Sequence, residues 1–259
     1  MKICVLIKQV PDKDSSLTIA DAHLTLVENN ITWVSNESDI YALEEALQLK
    51  EKHGGEVIAC TLGKNSARQV LKDALAKGAD RGIFISDSSF ENLDVLSLGK
   101  VFASTLEKED FALIMSGLQS DDHGNSQLGL IIAELLNISH GTLVMGTEII
   151  DDSTIRLKKE LEGGWFQWTK LSLPASISIQ SGINSPRYAT LKGIMTVKNK
   201  TVDEISASDV ASGALASNIT IIKLYVPDKT KETQFIEGSP DEISEQLVEL
   251  FKNDMKVLN

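Results

Sequence analysis

The feature that most constrains this chain is an alternation of short apolar runs and helical patterns through its first 150 residues. Residues 2–10 (KICVLIKQV) form a near-continuous apolar run, as a strand covered on both faces does. Runs of the same kind return at 56–63 (EVIACTLG), 81–86 (RGIFIS), 112–117 (ALIMSG) and 142–150 (TLVMGTEII). Between them, apolar residues recur at helical spacing. Asn36 to Ser38 offers N-cap chemistry for a helix reaching about His53, which Gly54 and Gly55 stop. Ser66-Ala-Arg-Gln69 reads as a capping box opening a helix that ends near Gly78. Helices over 93–108 and 126–137 follow. Such a sequence predicts an α/β fold, a parallel sheet with helices on both sides.

Two stretches break the pattern. Residues 16–27 (SLTIADAHLTLV) read as a small hairpin turning near Ala20–Asp21. After about residue 150 the style changes: TIRLKKELE, WFQWTKLSL and ASISIQS are strand-like with short connections, which predicts antiparallel pairing at the sheet edge. From Ile183 to about Ala216 the pattern is irregular, and 218–227 (NITIIKLYVP) reads as a late strand. Ser239-Pro-Asp-Glu242 is a capping box with Pro at the first helical position, opening a helix through Leu247, Leu250 and Phe251. The expected organisation is an α/β domain over 1–182, an irregular stretch over 183–200 and, over 201–259, a terminal arm that must lie against something.

Charge and composition exclude several functions. A net charge of −12 argues against a general nucleic-acid binder. No run of about 18 apolar residues is present, so no membrane span is expected. The start reads as a first strand and not as a signal peptide, because Pro11 and Asp12 follow the apolar run at once. Cys4 and Cys60 each sit in an apolar run, as buried thiols do, and a cytoplasmic setting fits. Arg187, Lys192, Lys198 and Lys200 form a stretch free of acids, whereas the tail from Asp228 is acidic. On composition alone both read as solvated surface.

In open parallel sheets, ligands bind beyond the carboxyl ends of the strands. That rule selects Lys8–Gln9, Asn36–Asp39, Leu62–Lys64 and Gly117–Gly129. The last joins a buried strand to a helix and supplies glycines, polar side chains and helix N-terminal N–H groups suited to a phosphate. It reads equally as a polar connection that binds nothing. No GxGxxG follows the first strand and no GxxxxGK[ST] occurs. Asp121, Asp122 and His123 are sequence neighbours, poorly placed to converge on one ion, so no metal is expected. His140 reads as a polar helix end, and Trp165 and Trp168 as packing residues. No nucleophile motif or redox-active side chain is apparent, so electron chemistry would need a bound cofactor.

From Glu160 onward the chain carries a specific pattern: ELEGG (160–164), then LPASISIQSGINSPRYATLKGIM (173–195). It resembles the signature of electron transfer flavoprotein beta subunits, a family that includes nitrogen-fixation-associated homologues. VLIKQVPD (5–12), ALEEALQLKE (42–51), ALAKGADRGI (74–83) and the GLQSDD…QLG loop resemble family blocks in family order. The tail YVPDKTKETQFIEG (225–238) is similar to members serving methylotrophic dehydrogenases.

The resemblance implies an adenine-nucleotide-binding domain related to universal stress proteins, a structural AMP in this chain, and FAD held mainly by an alpha subunit. It implies an electron carrier without catalytic residues of its own. It assigns the AMP site to Leu6, Asn36, Glu37, Ser38, Asp39, Leu62, Gly117, Gln119, Ser120, Asp122, Asn125, Ser126, Gln127 and Leu128. It makes Arg187, Tyr188, Leu191, Ile194 and Met195 a loop that docks dehydrogenases, with Leu191 as the inserted anchor. Glu160 would lie at the interface with the flavin domain. Two alternatives stand beside this reading: a bifurcating subunit with a second FAD in place of AMP, and a homodimeric stress-protein-like module binding ATP or AMP. Some details depart from the commonest pattern: the Asn36-Glu-Ser-Asp39 segment, Lys13 where some members place a tyrosine near the flavin, and His123-Gly124 in place of Gly-Asp.

Overall fold

Apolar runs and helical stripes pair up to build a central sheet with a helical layer on each face. The computed structural model describes residues 1–210, 217–228 and 233–257. Its strands are β1 (Lys2–Leu6), β2 (Gln9–Pro11), β3 (Trp33–Ser35), β4 (Glu56–Leu62), β5 (Arg81–Ile85), β6 (Leu113–Gly117), β7 (Ser139–Asp151), β8 (Thr154–Glu160), β9 (Phe166–Ser172), β10 (Ala175–Ile179) and β11 (Val202–Ile205). Its α-helices are α1 (Glu37–His53), α2 (Arg68–Lys77), α3 (Val95–Leu106), α4 (Leu128–Leu136), α5 (Leu191–Thr196) and α6 (Pro240–Asn253).

The main sheet has the order β11-β5-β4-β1-β6-β10-β7-β8-β9, and β2 pairs with β3 alone. From β11 to β7 every pairing is parallel, while β7, β8 and β9 run antiparallel. The central strands are largely apolar, and the polar residues Thr61, Ser116, Ser176 and Ser178 within them are buried, because both faces are covered. In β1, Ile3 and Val5 join the layer formed with Leu43, Leu47, Leu71 and Leu75. Cys4 and Leu6 face the other layer, with Phe102, Leu106 and Ile132. Both cysteines are buried and free.

Several local expectations are corrected. ASISI is not part of the antiparallel edge: β10 lies inside the sheet, parallel to both β6 and β7. The stretch after Ile183 returns to the sheet, and β11 pairs with β5 at the far edge. The Ser66 capping box does not form. A short 3-10 turn over Asn65–Ala67 precedes α2, and the Ser66 hydroxyl instead donates to Gln9 Oε1 (2.9 Å). His140 stands in β7 and not at a helix end. No strand forms over 218–227. The hairpin expected over 16–27 does form, in reduced extent, with one antiparallel bridge from Ile19 to Leu26 around a turn that begins at Ala20.

The chain divides into two compact units, Met1–Ile222 and Lys223–Asn259. In the second, the expected capping box opens α6: Ser239 Oγ accepts from the Glu242 N–H, and Glu242 accepts from the Ser239 N–H (2.8 Å). Residues 229–232 of the tail motif and 211–216 of the arm lie outside the described residues. No described helix is long and apolar enough to cross a membrane.

Candidate functional site: a cleft at the strand ends and an exposed loop

β1 and β6 are neighbours, but the chain leaves them in opposite directions, towards β4 and β5 on one side and towards β10 and β7 on the other. A crevice opens outside the carboxyl ends at such a reversal. Here it encloses about 160 Å³, lined by Leu6 at the end of β1 and Ile7 and Lys8 beyond it, by Asn36 and Asp39 at the start of α1, by Leu62, and by much of the segment from Ser116 to Gly129. Val95, Leu98 and Phe102 of α3 form an apolar wall.

The start of α1 fixes the shape of this cleft. Asn36 occupies the N-cap position, yet its side chain does not cap the helix. It reaches across to the long loop instead, donating to the Gln119 carbonyl (2.9 Å) and accepting from the Asp121 N–H (2.9 Å). Ser38 Oγ donates to the same Gln119 carbonyl (2.7 Å). Asp39 accepts from the Lys8 N–H and the Gly117 N–H, both at 2.8 Å, tying together the two diverging strand ends. Burial pushes the Asp39 carboxyl up to about 7, and the two backbone donors only partly oppose this. Position 117 must be glycine, since a Cβ there would stand 2.1 Å from Ser38 Oγ and 2.6 Å from Asp39 Oδ1.

The loop beyond Gly117 is held open towards the cleft. Lys8 Nζ donates to Asp122 Oδ1 (2.6 Å) and Ser120 Oγ (3.3 Å), and Ser126 Oγ donates to Gln119 Oε1 (3.0 Å). Burial pushes the Asp122 carboxyl up, but the Lys8 ammonium outweighs it and holds the group below its usual range. Ser126 adopts φ +56°, turning the chain into α4. Among the described residues, the backbone N–H groups of Asn125, Ser126, Gln127 and Leu128 have no acceptor within the protein. Four successive donors at the mouth of a helix, on a cleft wall, are suited to an anionic oxygen cluster such as a phosphate.

Of the residues expected in a nucleotide site, Leu6, Asn36, Asp39, Leu62, Gly117, Gln119, Ser120, Asn125, Ser126, Gln127 and Leu128 line the cleft. Glu37, Ser38 and Asp122 stand behind it, bracing the loop. Sequence reasoning missed the α3 wall and Ser116; Lys8 and His123 fall within strand-end segments that it selected, without a specific role for either.

The sequence matches the family described as electron transfer flavoprotein domain over residues 23–210. It is 31% identical to the electron transfer flavoprotein subunit beta of Methylophilus methylotrophus over 99% of both chains. Against the Bacillus subtilis subunit beta the identity is 31% with complete coverage of both, and against the human one 30% over 93% of this chain and 94% of that one. The chain belongs to the electron transfer flavoprotein beta-subunit family.

In this beta-subunit family member, the segment expected to dock partners forms a second distinct surface. Tyr188, Leu191, Ile194 and Met195 are all exposed, Leu191 by 75% and Tyr188 by 92%. Thr190 caps the short helix α5 by accepting from the Gly193 N–H (3.0 Å). Arg187 faces inward, unlike the other four: its guanidinium donates to Glu44 and Glu51 of α1. Glu160, at the end of β8, accepts from Gln180 Nε2 (3.0 Å). Trp165 and Trp168 do not pack into the core: they are exposed, and Arg156 lies over the Trp168 ring at 4.6 Å.

Proposed function

We propose that this chain is the scaffold and docking half of a heterodimeric electron carrier. Its cleft holds AMP as a structural group, an alpha subunit holds most of an FAD, and the loop around Leu191 meets the dehydrogenases that supply electrons. The observation that carries the nucleotide assignment is the run of unpaired N–H groups from Asn125 to Leu128 on the cleft wall. A phosphate accepts from such donors at no cost in reorganisation, because Asn36, Ser38 and Lys8 already hold the loop. The apolar wall of Val95, Leu98 and Phe102 offers a dry face to a purine.

The FAD supplies the electron chemistry when bound, and the residues of this chain bind and orient. The membership of the beta-subunit family and the name of its relatives support an alpha partner. The exposed apolar group at Tyr188, Leu191, Ile194 and Met195 supports docking by an apolar anchor.

Co-expression with the alpha subunit, followed by nucleotide extraction from the purified complex, tests the assignment. One AMP and one flavin per heterodimer are expected. A stable complex with neither nucleotide overturns the proposal. Two flavins and no AMP would assign the cleft to a second FAD.

A further inference from the structure

The docking loop lacks secondary structure on its approach, yet it does not hang free. Asn184 Nδ2 donates to the Tyr41 carbonyl (3.1 Å) and to Glu45 Oε2 (3.0 Å). The Arg187 N–H donates to Glu44 Oε2 (3.1 Å), and Arg187 Nε donates to the same oxygen (2.8 Å). The other arms of the guanidinium go to Glu44 Oε1 (3.0 Å) and to both carboxylate oxygens of Glu51. Glu44 is itself buried and oriented by Gln48 Nε2 (2.8 Å). Every nitrogen of the Arg187 fork is therefore engaged within the chain, and the planar geometry of the fork fixes the direction in which the backbone leaves.

The far side of the loop is fixed against α2. A Cβ at Gly193 would come within 2.1 Å of the Ala76 carbonyl oxygen, so the α5 backbone rests directly on the end of α2. Lys200 Nζ donates to the carbonyls of Leu75 (2.8 Å) and Ala79 (2.5 Å). The loop is thus strung between two fixed ends, with Tyr188 and Leu191 outward between them.

We propose that Glu44 and Glu51, acting through Arg187, are positioning residues for docking: they preorganise the segment that presents Leu191 and contact no partner themselves. The inference rests on the docking role proposed above for Leu191. It also moves Arg187 from the contact surface to the support beneath it. A loop already fixed in its bound form binds without the cost of ordering, so loss of the support weakens docking while leaving the contact residues in place.

The test uses the heterodimer with Glu44→Gln, Glu51→Gln, Arg187→Lys or Leu191→Ala. Two measurements are made: amide exchange over residues 188–196, and flavin reduction by the dehydrogenase that reduces the wild-type complex fastest among a purified panel. Dithionite, which needs no docking, is the control reductant. The Glu44 and Arg187 variants should speed exchange in the segment and raise the half-saturating concentration of carrier by roughly three- to tenfold, with the maximal rate and dithionite reduction unchanged. Glu51→Gln, at the exposed rim of the clamp, should show a smaller change of the same kind and guards against misfolding as the cause. Unchanged exchange, or faster exchange with unchanged half-saturation, overturns the inference. Leu191→Ala separates the two claims. If it leaves reduction by the dehydrogenase unaltered, the docking assignment fails. If it impairs reduction while the Glu44, Glu51 and Arg187 variants do not, only the positioning role fails.

Discussion

The loop Gly117–Gly129 and the loop Asn184–Met195 are both irregular surface segments braced by α1, but they point their chemistry in opposite directions. The first turns polar groups inward, with bare N–H donors on a cleft wall. The second turns the Arg187 guanidinium and the Asn184 amide inward onto Glu44, Glu45 and Glu51, and its apolar side chains outward. A small anion suits the first arrangement, and an apolar pocket on a macromolecule suits the second. Changes near the first loop should therefore register in fold stability, and changes at the tip of the second should not.

The largest expected effect lies at Asp39. Its carboxyl is raised to about 7 by burial, from an ordinary value near 4 in the unfolded chain. A raised acid binds its proton more tightly in the folded state. Its contribution to stability is therefore complete below about pH 4 and is lost as the pH rises towards 7. Carboxylates with lowered values, such as Asp122 and Glu44, act in the opposite sense and lose their contribution as pH falls. Comparison with Asp39→Asn isolates the first effect. The stability of the wild type relative to the variant should fall by up to about 4 kcal/mol between pH 4 and 7 and then level off. Urea titrations across that range measure it, and a difference that is flat with pH would show that the Asp39 carboxyl keeps its unfolded value in the folded chain.

Gly117→Ala comes next. The added methyl must displace Ser38 Oγ, Asp39 Oδ1 or the Asp39 backbone nitrogen, none of which is a flexible chain end. A loss of about 2–3 kcal/mol is expected, with reduced nucleotide retention in the complex. Full stability in this variant would mean that the start of α1 can move away from β6, and the cleft would then be less preorganised than its hydrogen bonds imply.

How much of this was legible in the sequence varies by region. The main-sheet strands and longer helices up to β7 could be read because a both-sides-covered strand and an amphipathic helix leave different periods, whereas the short β2–β3 pair, split from the first apolar run, was not. β10 was misplaced for a physical reason. Its Ser–Ile alternation imitates a strand with one wet face, yet Ser176 and Ser178 are buried, and Ser176 Oγ donates to the Gly129 carbonyl beneath α4 (2.9 Å). Asn36 could be read as a helix cap, but nothing local told that its side chain would serve a loop more than 80 residues away. The polar half of the cleft followed from the strand-end rule. The apolar half did not, because Val95, Leu98 and Phe102 look like ordinary core positions of α3 until the helix is placed over the opening. Arg187 carried the least signal: a basic residue in a basic stretch looks solvated, and its partners lie on a distant helix.

The smallest effect on the fold, and the sharpest separation of the two loops, should come from Leu191→Ala. Leu191 is 75% exposed, so removing most of its side chain leaves no cavity and exposes no buried polar group. Unfolding free energy should change by no more than about 0.5 kcal/mol, and the flavin and AMP content of the complex should stay the same. Interface anchors behave otherwise: truncation of a docking leucine typically costs about 1–2 kcal/mol or more of binding, equivalent to roughly fivefold to thirtyfold weaker docking. Stopped-flow reduction of the heterodimer by a dehydrogenase, read against thermal melts of the same preparations, sets the two quantities side by side. A variant that docks normally but melts early would reverse the assignment, making the Leu191 loop a structural element and leaving the docking surface to be sought elsewhere.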